Sequence, residues 1–292
     1  MYRTVLFSLA LIAPLLSFAA KAPAKALTTA TLGDGRTYLI ALPDGVIAPP
    51  LIVALHGGGG SPQQFARNSG LTEPALAAGY AIAYPAGTSR RGFGLRVWNA
   101  GYCCGYAPAA GVDDVGFLDR VIADAGRRFG VDTGRVYMTG MSNGAIMTQL
   151  YAARRPGRLR AIASVSGTLD AAHDRPDAPV PILHIHGTAD DHVPYAGGQG
   201  ESSLTRTDFT SVADDIAAFL RPFGGHLTRT DERRGGHVER TIWRDGKGTP
   251  EVELVTIDGG GHVWPGGNRT KARDEQDVSA TDEAIRFFNL HP

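Results

Sequence analysis

Six short apolar, β-branched runs recur along the chain, separated by stretches with helical spacing, and this alternation limits the architectures open to it. The runs are "RTYLIAL" (36–42), "LIVALHG" (51–57), "YAIAYP" (80–85), "RVYMTG" (135–140), "AIASVSG" (161–167) and "PILHIHG" (181–187). Several are apolar at consecutive positions, which suits strands buried on both faces. "SPQQFARNSGLTEPALAAG" (61–79) and "GVDDVGFLDRVIADAGRRFG" (111–130) carry helical spacing; the second opens on cap-capable aspartates and closes on Gly130. Residues 207–224 and 277–292 read as later helices. Strand–helix alternation implies crossover connections and a mostly parallel central sheet with helices on both faces, an α/β fold. In such sheets the ligand site lies beyond the carboxyl ends of the strands. The segment from Ala86 to Gly111 follows a strand and is rich in glycine and aromatics, so it is expected to be ordered and to wall the site.

At 292 residues the chain is near the upper end for one domain, and no linker interrupts it. The N-terminus stands apart. Arg3, an apolar run from Val5 to Leu16, and small residues at Ser17 and Ala19 fit a secretory signal cleaved after about Ala19. The run is too short for a stable membrane span. The expectation is a signal over 1–19, one catalytic domain over 20–292, and export to a periplasm or the medium. Lys+Arg and Asp+Glu both total 29, so no long-range field draws the chain to nucleic acid or to an anionic membrane. Oligomeric state is not legible.

The stretch "YMTGMSNGAIM" (137–147) sets Ser142 between Gly140 and Gly144, at a strand end and at the start of a helical run. A serine on a sharp strand-to-helix turn needs a strained backbone, and close flanking chains require glycine on either side. Such a serine is a nucleophile in waiting: it needs a base, and the base needs an orienting acid. The base is expected late in the chain. His262 in "DGGGHVWPGG" (258–267) follows the run "EVELVTID" and sits in a glycine-rich loop. The acid is expected after the strand "PILHIHG", where Asp190 and Asp191 stand together; Asp190, closer to the strand end, is the choice. His184, His186, Asp190 and His192 also allow a metal reading, but no spacing characteristic of a zinc site is present, so no metal and no cofactor are expected.

"LHGGGGS" (55–61) follows a buried strand with a bare backbone, and the N–H groups of Gly58 and Asn143 are the expected oxyanion donors. It lacks the GK[ST] ending or the GxGxxG fingerprint of a nucleotide loop. Trp98, Tyr102 and Trp264 are candidates to line a substrate pocket, against the alternative that they merely anchor loops. Cys103 and Cys104 are adjacent and are the chain's two cysteines. Neighbouring Cα atoms across a trans peptide lie closer than most disulfides prefer, which leaves a strained vicinal disulfide, two free thiols, or a bond between chains. An oxidising compartment favours oxidation.

"LIVALHGGGG", "WNAGYCCGYA", "VDDVGFL", "VDTGRVYMTGMSNGA", "HIHGTADDHVPY" and "GGGHVWPGG" occur in this order. The chain thereby resembles secreted α/β-hydrolase esterases of the polyhydroxybutyrate depolymerase and feruloyl esterase type, from about Thr37 to the C-terminal helix. The resemblance implies a serine esterase with Ser142, Asp190 and His262 as its triad and Gly58 as an oxyanion donor, acting on a small or oligomeric ester of feruloyl or hydroxyalkanoate type. Two departures, no polymer-binding module after the catalytic part and none of the several disulfides of fungal feruloyl esterases, argue against attack on a solid polymer. The rivals are an acetyl-sugar esterase, a peptidase of the same fold, and a non-catalytic binding module on a hydrolase scaffold.

Overall fold

The computed structural model describes residues 26–90, 94–203, 205–268 and 277–292. The segment read as an export signal lies outside the described residues. The strands are β1 (Thr28–Thr31), β2 (Thr37–Ala41), β3 (Pro50–Leu55), β4 (Ala81–Pro85), β5 (Asp132–Met141), β6 (Ala161–Val165), β7 (Ile182–Gly187), β8 (Thr228–Arg234), β9 (Val238–Arg244) and β10 (Pro250–Ile257). They form one sheet in the order β1-β2-β4-β3-β5-β6-β7-β10-β9-β8. From β4 to β10 in that order neighbours run parallel, while β1 and β2 at one edge and β9 and β8 at the other add antiparallel pairs.

The run "RTYLIAL" thus becomes a strand outside the parallel set. Its short link to β3 holds no helix, and a parallel return needs a crossover of about a dozen residues or more. The helices are α1 (Pro62–Ser69), α2 (Thr72–Ala77), α3 (Tyr106–Ala109), α4 (Asp114–Phe129), α5 (Asn143–Arg154), α6 (Val212–Leu220) and α7 (Ala280–Asn289). The pattern over 61–79 reads as one stretch but folds as α1 and α2, because Gly70 takes φ 66° and ends α1 in the left-handed region. α4 is capped as its sequence suggests: the Asp113 carboxylate accepts from the Gly116 N–H, and Gly130 closes it at φ 68°.

Consecutive apolar residues serve opposite faces of the sheet. Leu51, Val53 and Leu55 of β3 pack with α4, α5 and α6, while Ile52 and Ala54 pack with α1, α2 and α7. α4 buries Phe117, Leu118, Val121 and Ile122 completely; each such side chain contributes about 1.5–3 kcal/mol. Two apolar layers hold the sheet rigid, and its parallel core brings the carboxyl ends of β3, β5, β7 and β10 to one rim. No described helix is long and apolar enough to cross a membrane.

Candidate active site

β5 ends at Met141 and α5 begins at Asn143, so Ser142 alone makes the turn, at φ 56° and ψ −127°. That backbone costs a non-glycine residue about 1–3 kcal/mol. It is held from both sides: the Ser142 N–H donates to the Val165 carbonyl at 2.9 Å, and the Ser142 carbonyl accepts from the N–H groups of Ala145 and Ile146. A Cβ on Gly140 would run into the Gly144 carbonyl, and one on Gly144 into the carbonyls of Leu55 and His56. The two glycines let strand and helix pass close enough to project the serine.

Ser142 and His262 line the same cavity, of about 520 Å³, together with residues 56–61 of the glycine-rich loop and Asn143. The His262 Nδ1–H donates to Asp190, 2.8 Å from Oδ2 and 3.0 Å from Oδ1. Asp190 Oδ1 also accepts the N–H groups of His192 and Val193, both at 2.9 Å. Burial pushes the Asp190 carboxyl up, but the bonds from His186 and His262 outweigh it and hold the group well below the usual carboxylate range. Asp191 is different: it is exposed, and its carboxylate binds His192 Nδ1 and the Ser202 hydroxyl. The His192 ring also stacks on His262 at 4.5 Å between centroids and 9° between planes, a support for the base that sequence spacing does not show.

The N–H groups of Gly58 and Asn143 have no acceptor among the described residues. The Asn143 side chain is occupied elsewhere: its Oδ1 accepts the Trp98 N–H at 2.7 Å, and its Nδ2 donates to the Trp98 carbonyl at 3.1 Å. Of the three aromatics expected on the wall, Trp264 is there. Trp98 and Tyr102 are not. Trp98 is wholly buried behind the glycine loop, its indole N–H donating to the His56 carbonyl at 2.8 Å. Tyr102 turns its hydroxyl onto the Thr168 carbonyl at 2.6 Å. Both have polar ends that must be satisfied inside the protein, and this turns them inward. Phe65 and Phe209, which sequence reading missed, line the cavity instead. Cys103 and Cys104 are bonded to each other across a cis peptide and also line it.

For a metal, Asp190, His192 and His262 bring ligand atoms within 4.8 Å of one another. Several of the possible ligand atoms are already engaged: Asp190 with His262 and two backbone N–H groups, and His192 Nδ1 with Asp191. His184 and His186 lie deeper, bonded to each other.

His56 leads into the glycine loop and is a pH-sensitive support for it. Its Nδ1–H donates to the Gly57 carbonyl at 2.8 Å, and its Nε2 accepts the Gly87 N–H at 3.0 Å, which defines a neutral ring. Burial pushes its pKa down to about 4. The unfolded chain takes up this proton near pH 6.5, whereas the fold resists it until about 4. Stability is therefore complete above pH 6.5 and falls by up to about 3 kcal/mol as pH drops to 4. Thermal melts between pH 7 and 4 should show this loss, and His56→Gln, which cannot titrate, should make it smaller, with the buried His184 and His291 rings still contributing in the same sense.

A profile of the family described as Esterase PHB depolymerase matches residues 36–194. The NocK protein of Nocardia uniformis subsp. tsuyamanensis, which bears an esterase name, is 31% identical over 268 residues, covering 85% of this chain and 75% of the relative. Feruloyl esterase B of Piromyces equi is 29% identical over 238 residues, covering 78% of this chain and 42% of that relative, so the chain spans less than half of its length. Among solved structures, an acetyl xylan esterase from Aspergillus awamori superposes with a TM-score of 0.59 at 17% identity, over 91% of this chain and 100% of that chain, a likeness of fold. By sequence and by architecture, then, the chain belongs to the Esterase PHB depolymerase family, carboxylic ester hydrolases on the α/β-hydrolase fold.

Proposed function

We propose that the ester hydrolysis runs through an acyl-enzyme on Ser142. The Ser142 hydroxyl attacks the ester carbonyl while His262 Nε2, left free by the Nδ1–Asp190 bond, takes its proton. The N–H groups of Gly58 and Asn143 receive the oxyanion. His262 returns the proton to the leaving alcohol, and a water then repeats the sequence on the acyl group. The observation that carries this reading is one cavity shared by a serine at φ 56° and an imidazole braced 2.8 Å from a buried carboxylate.

The substrates we favour are small esters of feruloyl or hydroxyalkanoate type. Phe65, Phe209 and Trp264 on an otherwise largely apolar wall support a flat or short acyl group, and the feruloyl esterase among the relatives supports the former. Residues 1–19 support export to a periplasm or the medium.

The test is a rate panel of methyl ferulate, a hydroxybutyrate oligomer, an acetylated sugar and a peptide amide, run beside labelling with a fluorophosphonate. The expected result is label on Ser142 and turnover of methyl ferulate or the hydroxybutyrate oligomer well above the other two. Label on Ser142 with the acetylated sugar fastest would overturn the acyl preference. Absence of label in folded protein would overturn the serine mechanism.

A further inference from the structure

Behind Asp190 lies a line of buried polar groups that the mechanism above does not use. His184 and His186 alternate on β7 and point to the same side, with their rings stacked at 5.3 Å and 7°. His184 Nε2 lies 3.0 Å from His186 Nδ1. His186 Nε2 lies 2.8 Å from the Val193 carbonyl and 3.3 Å from Asp190 Oδ2. At the far end, His184 Nδ1 faces Asp215 Oδ2 of α6 at 3.1 Å. The side chains of Asp215, His184, His186 and Asp190 are all without solvent exposure.

The hydrogens of this line can be counted. A carbonyl only accepts, so His186 Nε2 must carry a hydrogen for Val193. One hydrogen lies between the two rings. The contact of His184 Nδ1 with Asp215 Oδ2 must also hold one, because both atoms are buried with no other partner and two facing lone pairs there would be costly. Three hydrogens therefore occupy three contacts, and three arrangements satisfy them without an imidazolate. In one, Asp215 is a neutral acid and both rings are neutral. In a second, the Asp215 proton has moved to His184 Nδ1, which leaves a carboxylate at 215 and an imidazolium at 184; in the third, the His184 Nε2 proton has also moved to His186 Nδ1, which puts the imidazolium at 186. Asp215 Oδ1 accepts the Leu169 N–H at 2.8 Å, which favours the carboxylate. In the third arrangement the imidazolium lies beside Asp190, with His186 Nε2 3.3 Å from Oδ2.

The geometry points to a proton relay, Asp215–His184–His186, that places positive charge against Asp190 and so sets the pH at which His262 becomes a base. His186 Nε2–H faces both the Val193 carbonyl at 2.8 Å and the Asp190 carboxylate at 3.3 Å, and this second carboxylate draws the charge along the line to His186; burial, which pushes the His184 ring below the ordinary imidazole range, acts in the same sense. The other groups facing the line are neutral in its working range. Tyr195 presents a ring edge to His186 and bonds Thr256 of β10, Tyr102 bonds Thr168, and Ser164 of β6 flanks His184. The charged side chains acting on Asp190 are His186 on one side and His262 on the other; His262 is itself faced by the His192 ring, which pairs with exposed Asp191 and lies outside the line that Asp215→Asn alters. Asp215, His184 and His186 are positioning residues; none touches substrate. The inference rests on the triad reading given above.

Asp215→Asn tests it with little disturbance. The amide can donate to His184 Nδ1 and still accept from Leu169, but it has no proton to release, so both rings stay neutral. Asp190 then keeps its whole charge for His262. The acid limb of kcat/KM against pH should move up by about one unit, roughly a tenfold loss on the acid side with the plateau little changed. Nitrogen NMR of histidine-labelled wild type should show both ring nitrogens of His186 protonated at pH 7, and Asp215→Asn should lose this pattern. An unmoved acid limb, two neutral rings in the wild type, or both protons on His184 and not on His186 overturns the relay. If Asp215→Asn does not fold, the wild-type spectrum alone decides. Failure of the triad reading looks different, since an active Ser142→Ala would leave the ring-nitrogen pattern untouched.

Discussion

Replacing Ser142 with alanine should lower kcat about 10⁴-fold or more while leaving the fold intact. The substitution removes one oxygen atom and keeps the Cβ that the φ 56° backbone already accommodates, so α5 and the glycine contacts have no reason to move. What is lost is the covalent step. Residual activity over uncatalysed hydrolysis would come from the free N–H groups of Gly58 and Asn143 and from substrate binding. Because Ser142 and His262 act as a unit, the double variant Ser142→Ala, His262→Ala should be hardly worse than either single one. The measurement is kcat and KM for each variant on the best ester of the panel. Wild-type rates in Ser142→Ala would require another nucleophile.

Asp190→Asn should cost about 10³–10⁴-fold in kcat, whereas Asp191→Asn should cost less than about threefold. These neighbours differ by one position in sequence and by everything in environment. Asp190 is buried, receives two backbone N–H groups on Oδ1, and holds the Nδ1–H of His262. An amide there can present its N–H to the imidazole, which favours the tautomer with hydrogen on Nε2 and disables the base. Asp191 is exposed and bonds Ser202 and His192 at the surface. Its loss would loosen His192, whose ring stacks on His262, and the small expected effect comes from that. Equal effects from the two substitutions would mean that the acid is not Asp190.

Six of the ten described strands, most of the helices and the glycine-flanked serine are determined locally, which is why they can be read from the chain. Two-faced burial leaves consecutive apolar residues in β3, β4, β6 and β7. A helix stop leaves Gly130, and a serine on a tight turn needs glycines at 140 and 144. Each is a property of a few adjacent residues, so local sterics and burial mark it in the sequence.

Direction and wall composition are decided by distant partners. That β2 joins the sheet antiparallel depends on its pairing with β4, more than forty residues away, as in the match of Tyr38 with Pro85. Trp98 and Tyr102 stand in the right loop for a pocket, yet each turns inward because its polar end finds a carbonyl there, His56 for one and Thr168 for the other. Phe65 and Phe209 take their place on the wall. The line from Asp215 to Asp190 was equally hidden: α6 had to pack against β7 before a carboxylate from position 215 could face His184. A sequence specifies what each residue can do within its own turn or strand, but which atoms meet across the core follows from packing and from the cost of leaving a buried polar group alone, and those are properties of the whole fold.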